Sequence, residues 1–157
     1  MLIEFILNAQ PVQVNVPGTT RVVDLLREHF ALTGPKEGCG SGECGACAVW
    51  IDGVTKLSCL MVAAQLQGRE VTTTEGLGED DSPHPIQQSF ARRGAVQCGY
   101  CTPGMVMSAA ELLRQEKNPD RAMIRKKMSG HLCRCTGYHK VVDAVQDAAL
   151  VMREGKE

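Results

Sequence analysis

The sequence predicts an α+β chain, with a small mixed sheet in the first half and an all-helical second half. Three observations predict it. Short β-prone runs bounded by turn signals fill the stretch up to Thr73. A Gly-rich, acidic segment, Glu75-Gly-Leu-Gly-Glu-Asp-Asp-Ser-Pro83, then breaks the pattern and reads as a linker. Beyond it, apolar residues recur at helical spacing.

In chain order, Leu2–Leu7 and Val12–Val16 are two runs joined at Asn8-Ala9-Gln10-Pro11, which suggests a hairpin. Thr20 is placed to cap a helix carrying Val22, Val23, Leu25 and Leu26 and ending near Phe30. Residues 38–45 are too glycine-rich for helix or strand. Ala46–Ile51 reads as a strand, Asp52-Gly53 as a tight turn, and a further strand is expected around Glu70–Thr73. Glu79, Asp80 and Asp81 belong to the solvated linker. In the second half, Met105, Val106, Ala109, Leu112 and Leu113 line one helix, and Val141, Val142, Val145, Ala148 and Ala149 repeat that spacing. Shorter helices are expected at about 85–93 and 120–129, the latter capped by Asp120. An internal echo accompanies them. Cys98-Gly-Tyr-Cys101 and Cys133-Arg-Cys135 are each followed by a threonine, a plausible N-cap, and a helix. Two such halves would bring four thiolates together.

Composition narrows the function. Lys plus Arg is 17 and Asp plus Glu is 18, a net charge of −1, which argues against a nucleic-acid binder. Aromatic content is 4%, so the cores must be aliphatic, with methionines such as Met61, Met105, Met123, Met128 and Met152 as filler. No signal peptide is evident at Met1–Gln10, and no apolar run approaches the roughly 18 residues of a membrane span. A cytoplasmic location is the default expectation. In a reducing compartment eight cysteines read as ligands rather than disulfides. Halves of about 75 residues also need such a staple.

The first set, Cys39-x4-Cys44-x2-Cys47 with Cys59 eleven residues further on, has the spacing of plant-type 2Fe–2S ferredoxins. A four-thiolate cluster is anionic, and burying that charge requires donors around it. In Gly38-Cys-Gly-Ser-Gly-Glu-Cys-Gly-Ala-Cys47, glycines 40, 42 and 45 permit positive φ, so the loop can turn its N–H groups toward sulfur. The second set, Cys98-x2-Cys101 and Cys133-x-Cys135, is less specific. It suits a structural zinc site as well as a second iron cluster. A helix start beside the second cysteine of each pair would favour an anionic centre. His29, His84, His131 and His139 lack the Rieske pairing with cysteine and read as surface or packing residues. Trp50 reads as packing, Arg121, Arg125, Lys126 and Lys127 as a solvated basic face with docking to another subunit as the alternative, and Arg134 as a residue of interface or tuning role.

Taken together, Gly38–Cys47, Gln97-Cys-Gly-Tyr-Cys-Thr-Pro-Gly104 and Leu132-Cys-Arg-Cys-Thr-Gly-Tyr138 closely resemble the small iron–sulfur subunit of the xanthine dehydrogenase family of molybdenum hydroxylases. All eight cysteine positions match. The resemblance implies an N-terminal ferredoxin-like β-grasp domain over residues 1–76 and a four-helix bundle over 77–157. It implies one 2Fe–2S cluster on Cys39, Cys44, Cys47 and Cys59 and another on Cys98, Cys101, Cys133 and Cys135. It implies a molybdopterin contact through Gln97 and Cys135. The partners it implies are a large molybdopterin-binding catalytic subunit and a medium FAD-binding subunit, in a heterotrimer. Electrons would pass from molybdenum through the two clusters toward FAD, with no substrate chemistry on this chain. The alternatives are a stand-alone two-cluster ferredoxin and a ferredoxin domain fused to a zinc scaffold.

Overall fold

The computed structural model describes residues 1–79 and 81–155. Asp80 of the acidic linker and residues 156–157 lie outside the described residues.

Strands β1 (Leu2–Leu7) and β2 (Gln10–Asn15) pair antiparallel, from Leu2 opposite Asn15 to Leu7 opposite Gln10. Asn8 and Ala9 make the turn with φ of 49° and 64°, the left-handed pair that suits a two-residue hairpin. The turn is thus shorter than the sequence suggested, and Pro11 falls inside the edge strand, where a missing N–H is tolerated. Strand β3 (Ala48–Ile51) turns through Asp52-Gly53, φ 52° and 76°, into β4 (Val54–Leu57). The tight turn was legible in the sequence, whereas β4 was not: only Thr55 and Leu57 are even partly covered. Strand β5 (Glu70–Thr72) lies parallel to β1 and antiparallel to β3, giving the order β2-β1-β5-β3-β4. Alternation in β1 sends Ile3, Phe5 and Leu7 into the core and leaves Leu2 and Ile6 exposed.

The expected helix after Thr20 is real but irregular. One turn, α1 (Val22–Asp24), passes into a π-helical turn over Leu25–His29. Val22, Val23, Leu25 and Leu26 are all buried. Thr20 is not its cap. Its N–H bonds the Pro17 carbonyl, and its own carbonyl takes the Ala63 N–H. Arg21 occupies the cap position without a capping side chain.

The second half carries α2 (Pro85–Arg92), α3 (Thr102–Gln115), α4 (Arg121–Met128) and α5 (His139–Glu154). Asp120 caps α4 as expected, accepting from the Met123 N–H at 2.7 Å. The expected threonine caps are absent. Cys101 precedes α3, and Tyr138, at φ 67°, precedes α5. Thr136 instead turns its hydroxyl to the Cys133 sulfur and the Tyr138 N–H. Hence Cys101 adjoins a helix start but Cys135 stands four residues before one. Ile86, Phe90, Met105, Ile124, Met128 and Val145 form the shared core. The basic face is only half solvated. Arg121 pairs with Asp143 and Lys127 with Glu111, while Arg125 and Lys126 are exposed.

The halves meet along α3. The Trp50 indole donates to the Met107 carbonyl at 3.0 Å, and the Arg114 guanidinium lies 4.7 Å over the Trp50 ring. Glu111, 4% exposed, accepts from the Thr55 N–H of β4 at 3.3 Å. Among the described residues no helix is long and apolar enough to cross a membrane.

Candidate functional site

The loop from Gly38 to Cys47 wraps as its glycines require. Gly40, Gly42 and Gly45 take φ of 63°, 83° and 75°. The Ser41, Glu43 and Cys44 N–H groups converge on the Cys39 sulfur at 3.4, 3.2 and 3.4 Å. Those donors, with Ser41 leading, bring the Cys39 thiol down to about 6, which favours the thiolate form that binds metal. Cys39 is exposed and Cys44 half-buried, whereas Cys47 and Cys59 lie in the interior against one another. Burial pushes the Cys47 thiol up to about 11. Ser58 fixes this inner pair by donating its hydroxyl to the Cys47 carbonyl at 2.7 Å.

In the second half the two short cysteine pairs meet crosswise, Cys101 with Cys133 and Cys98 with Cys135. The internal echo therefore does bring four thiols together. Burial and the Cys133 sulfur push Cys101 up to about 12. Burial works the same way on Cys133, but the Thr136 hydroxyl and N–H outweigh it and lower that thiol. Contact with Cys98 raises Cys135. Tyr138 braces the loop: its hydroxyl accepts the Cys133 N–H at 2.8 Å and donates to the His131 carbonyl at 2.9 Å. Gln97 and Cys135 are both exposed, beside the exposed apolar side chains of Val96 and Leu132.

Among the described residues, no three Cys, His, Asp or Glu side chains converge as ligands of a single ion do. The N–H donors aimed at the Cys39 and Cys133 sulfurs suit an anionic iron–sulfur group.

The two cysteine sets are joined directly. The Leu132 N–H donates to the Cys44 carbonyl at 3.0 Å. A Cβ on Gly104, in the first turn of α3, would sit 2.2 Å from the Gly45 carbonyl oxygen. His131 fills the space between. It is 5% exposed, its Nε2 lies 2.6 Å from the Ser108 hydroxyl, and its Nδ1 lacks a well-aligned partner although the Gly45 backbone is adjacent. Burial lowers His131 to about 4, so it packs as a neutral ring. The sequence left His131 as a surface or packing residue, and its burial decides for packing. That Gly104, Ser108 and Tyr138 serve the site was not, since each acts on a partner distant in sequence or on backbone atoms.

Comparison with known proteins agrees with this geometry. Residues 5–74 match a 2Fe-2S iron-sulfur cluster binding domain and residues 73–146 a second 2Fe-2S binding domain. The nicotinate dehydrogenase small FeS subunit of Eubacterium barkeri is 47% identical over 142 residues, covering 90% of each chain. The xanthine dehydrogenase iron-sulfur-binding subunit of Escherichia coli O157:H7 is 45% identical over 148 residues, 92% of each. The chain belongs to the iron–sulfur subunits of the xanthine dehydrogenase family of molybdenum hydroxylases. The fold of this subunit matches a chain of quinoline 2-oxidoreductase from Pseudomonas putida 86 with a TM-score of 0.94 and 40% identity, over 100% of this chain and 98% of that one. It matches aldehyde oxidoreductase from Desulfovibrio gigas equally well, with a TM-score of 0.94 and 36% identity, but covers 18% of that longer chain. The subunit is accordingly a two-cluster 2Fe–2S protein with a ferredoxin-like β-grasp half and a helical half. It works within an oxidoreductase complex, and the zinc-scaffold and stand-alone-carrier alternatives fall away.

Proposed function

We propose that the subunit relays electrons from a molybdopterin centre in a large catalytic subunit, through its two clusters, toward FAD on a medium subunit. Cys98, Cys101, Cys133 and Cys135 would hold the cluster facing the molybdenum partner. Cys39, Cys44, Cys47 and Cys59 would hold the one facing the electron exit, with the domains divided as 1–76 and 77–157. Bound there, each cluster supplies one-electron storage. The chain's own contribution is to place and solvate the sulfurs.

The observation that carries this reading is the junction of the two cysteine sets through Leu132 N–H and the Cys44 carbonyl. The first set faces solvent at Cys39 and the second at Cys98 and Cys135. Two exposed ends joined through the interior suit conduction between two surfaces. The crosswise pairs, Cys98 with Cys135 and Cys101 with Cys133, bring together the four thiols that would hold this cluster. Gln97 and Cys135 are exposed, and their near neighbours in sequence Val96 and Leu132 are apolar and 40% and 60% exposed. That surface suits a docked cofactor-bearing subunit, and we assign Gln97 and Cys135 as its molybdopterin contacts. A cytoplasmic, heterotrimeric enzyme is the setting this implies.

Anaerobic purification with metal analysis and EPR tests the assignment. About four irons per chain and two distinguishable reduced signals are expected. Zinc in place of half the iron would refute the second ligand set. Purification of the native complex without a molybdopterin subunit would refute the partner.

A further inference from the structure

The Tyr100 hydroxyl has a partner that cluster ligation does not explain. It donates to the backbone carbonyl of Glu37. Tyr100 lies between Cys98 and Cys101 of one set, and Glu37 lies two residues before Cys39 of the other. The ring edge reaches the same glycine that the first set needs small: a Cβ on Gly38 would come 3.7 Å from the ring and 2.9 Å from the Cys44 sulfur.

We propose that Tyr100 is a positioning residue whose hydroxyl ties the second cysteine loop to the first and fixes the geometry between the two clusters. The proposal rests on the two-cluster reading above. The reason is mechanical. The Leu132 bond to Cys44 and the contact of Gly104 on Gly45 hold one end of the first loop. The Lys36 N–H closes the base of that loop on the Ala46 carbonyl at 3.0 Å, but neither it nor the Leu132 bond joins the second cysteine loop to the stretch before Cys39. The loop between the ends carries Gly38, Gly40 and Gly42 and has little stiffness of its own. Tyr100 supplies that tie, at Glu37, so the second cysteine loop is bonded to the first on both sides of Cys39.

The acceptor is itself anchored. Glu37 is held by both arms of the Arg21 guanidinium, at 2.5 and 2.8 Å, and Arg21 grips Asp24 in the same way, at 2.7 and 2.9 Å. A fork of this kind fixes orientation as well as distance. A tyrosine bonded to a free loop carbonyl would follow the loop, whereas here it is bonded to a carbonyl tied back to α1. The ring is 46% exposed, so removing the hydroxyl opens no cavity and lets water take its place at the Glu37 carbonyl. Tyr100→Phe is therefore a mild substitution for folding and a specific one for the tie.

The test uses the full chain with both clusters, as wild type and as Tyr100→Phe. Magnetic interaction between the two reduced clusters is read by EPR, and amide exchange is read at residues 37–40 and 98–101. In the variant the interaction splitting should become smaller or heterogeneous. Exchange in both loops should rise about fivefold, as for loss of one modest hydrogen bond. Iron content and the signal of each cluster recorded singly should stay as in wild type. An unchanged splitting would overturn the proposal. Iron loss from the variant would also overturn it, because it would place the role of Tyr100 within its own cluster loop. A wild-type chain without two cluster signals would instead sink the reading on which the proposal rests.

Discussion

Two glycines show how a single hydrogen atom in place of a methyl group decides the site. Gly104 lets the first turn of α3 lie on the Gly45 carbonyl, where a Cβ would stand 2.2 Å from backbone oxygen. Gly45 adopts φ 75°, and its own Cβ would meet the His131 ring at 2.4 Å. Backbone cannot yield as a side-chain tip does, so Gly104→Ala must part the halves or unwind the helix start. The expected cost is about 1–3 kcal/mol, read as a lower urea midpoint, together with partial iron loss. A Gly104→Ala protein of wild-type midpoint would show the contact to be slack. Tyr138 makes a second case at this scale. Its hydroxyl both receives the Cys133 N–H and donates to the His131 carbonyl, and Tyr138→Phe leaves both unpartnered. A loss of about 1–3 kcal/mol should accompany iron release from the second set alone, measured by metal analysis of the purified variant.

Among the elements, α3 does the most joining, because its residues meet β3, β4 and α4 at once. Glu111 is the charged member of that contact. Burial opposes its ionisation, but the Lys127 ammonium and the Thr55 N–H outweigh it and hold the carboxyl below its usual value. The folded state thus binds this proton more weakly than the unfolded chain does. The stabilisation is present above the unfolded pKa near 4.3 and is lost as pH falls through the lower folded value. Glu111→Gln should cost about 1–2 kcal/mol at pH 7, since Lys127 is partly exposed. The gap between variant and wild type should narrow as pH is lowered toward 3, followed by chemical denaturation. A gap independent of pH would assign the loss to packing. Asp147 acts in the same sense between α2 and α5, its carboxyl lowered by Arg93 and Arg92. The helices of this half were readable from their periodicity. Their joints were not, because Glu111, Lys127 and Asp147 look like surface charges until the chain is folded.

Across the whole molecule, legibility followed the range of the interaction. Cysteine spacing and the glycines at 40, 42 and 45 encode a loop that is decided locally, so the first set and its positive-φ backbone could be read directly. The hairpin turns at Asn8-Ala9 and Asp52-Gly53 are local as well. β4 escaped because its apolar residues Val54 and Leu57 do not alternate and neither is fully buried, so pairing with β3 holds the strand. The Thr20 cap failed because Arg21 takes the cap position, and the threonine helix starts failed because Thr102 is itself the first residue of α3 and the Thr136 hydroxyl turns to the Cys133 sulfur. The crosswise meeting of Cys98 with Cys135 and Cys101 with Cys133 depends on how four helices pack, and only the internal echo hinted at it. Separate clusters of buried residues serve the two halves, one around Ile3, Phe5 and Leu26 and one around Phe90, Met105 and Val145. The proposed ligands of each cluster lie in one half only. Cys59→Ala should therefore abolish one reduced EPR signal and leave about two irons per chain, with the helical half still holding its cluster. Loss of both signals would mean that the second cluster depends on the first through the Leu132 and Gly104 contacts, and that the halves assemble as a single cooperative unit.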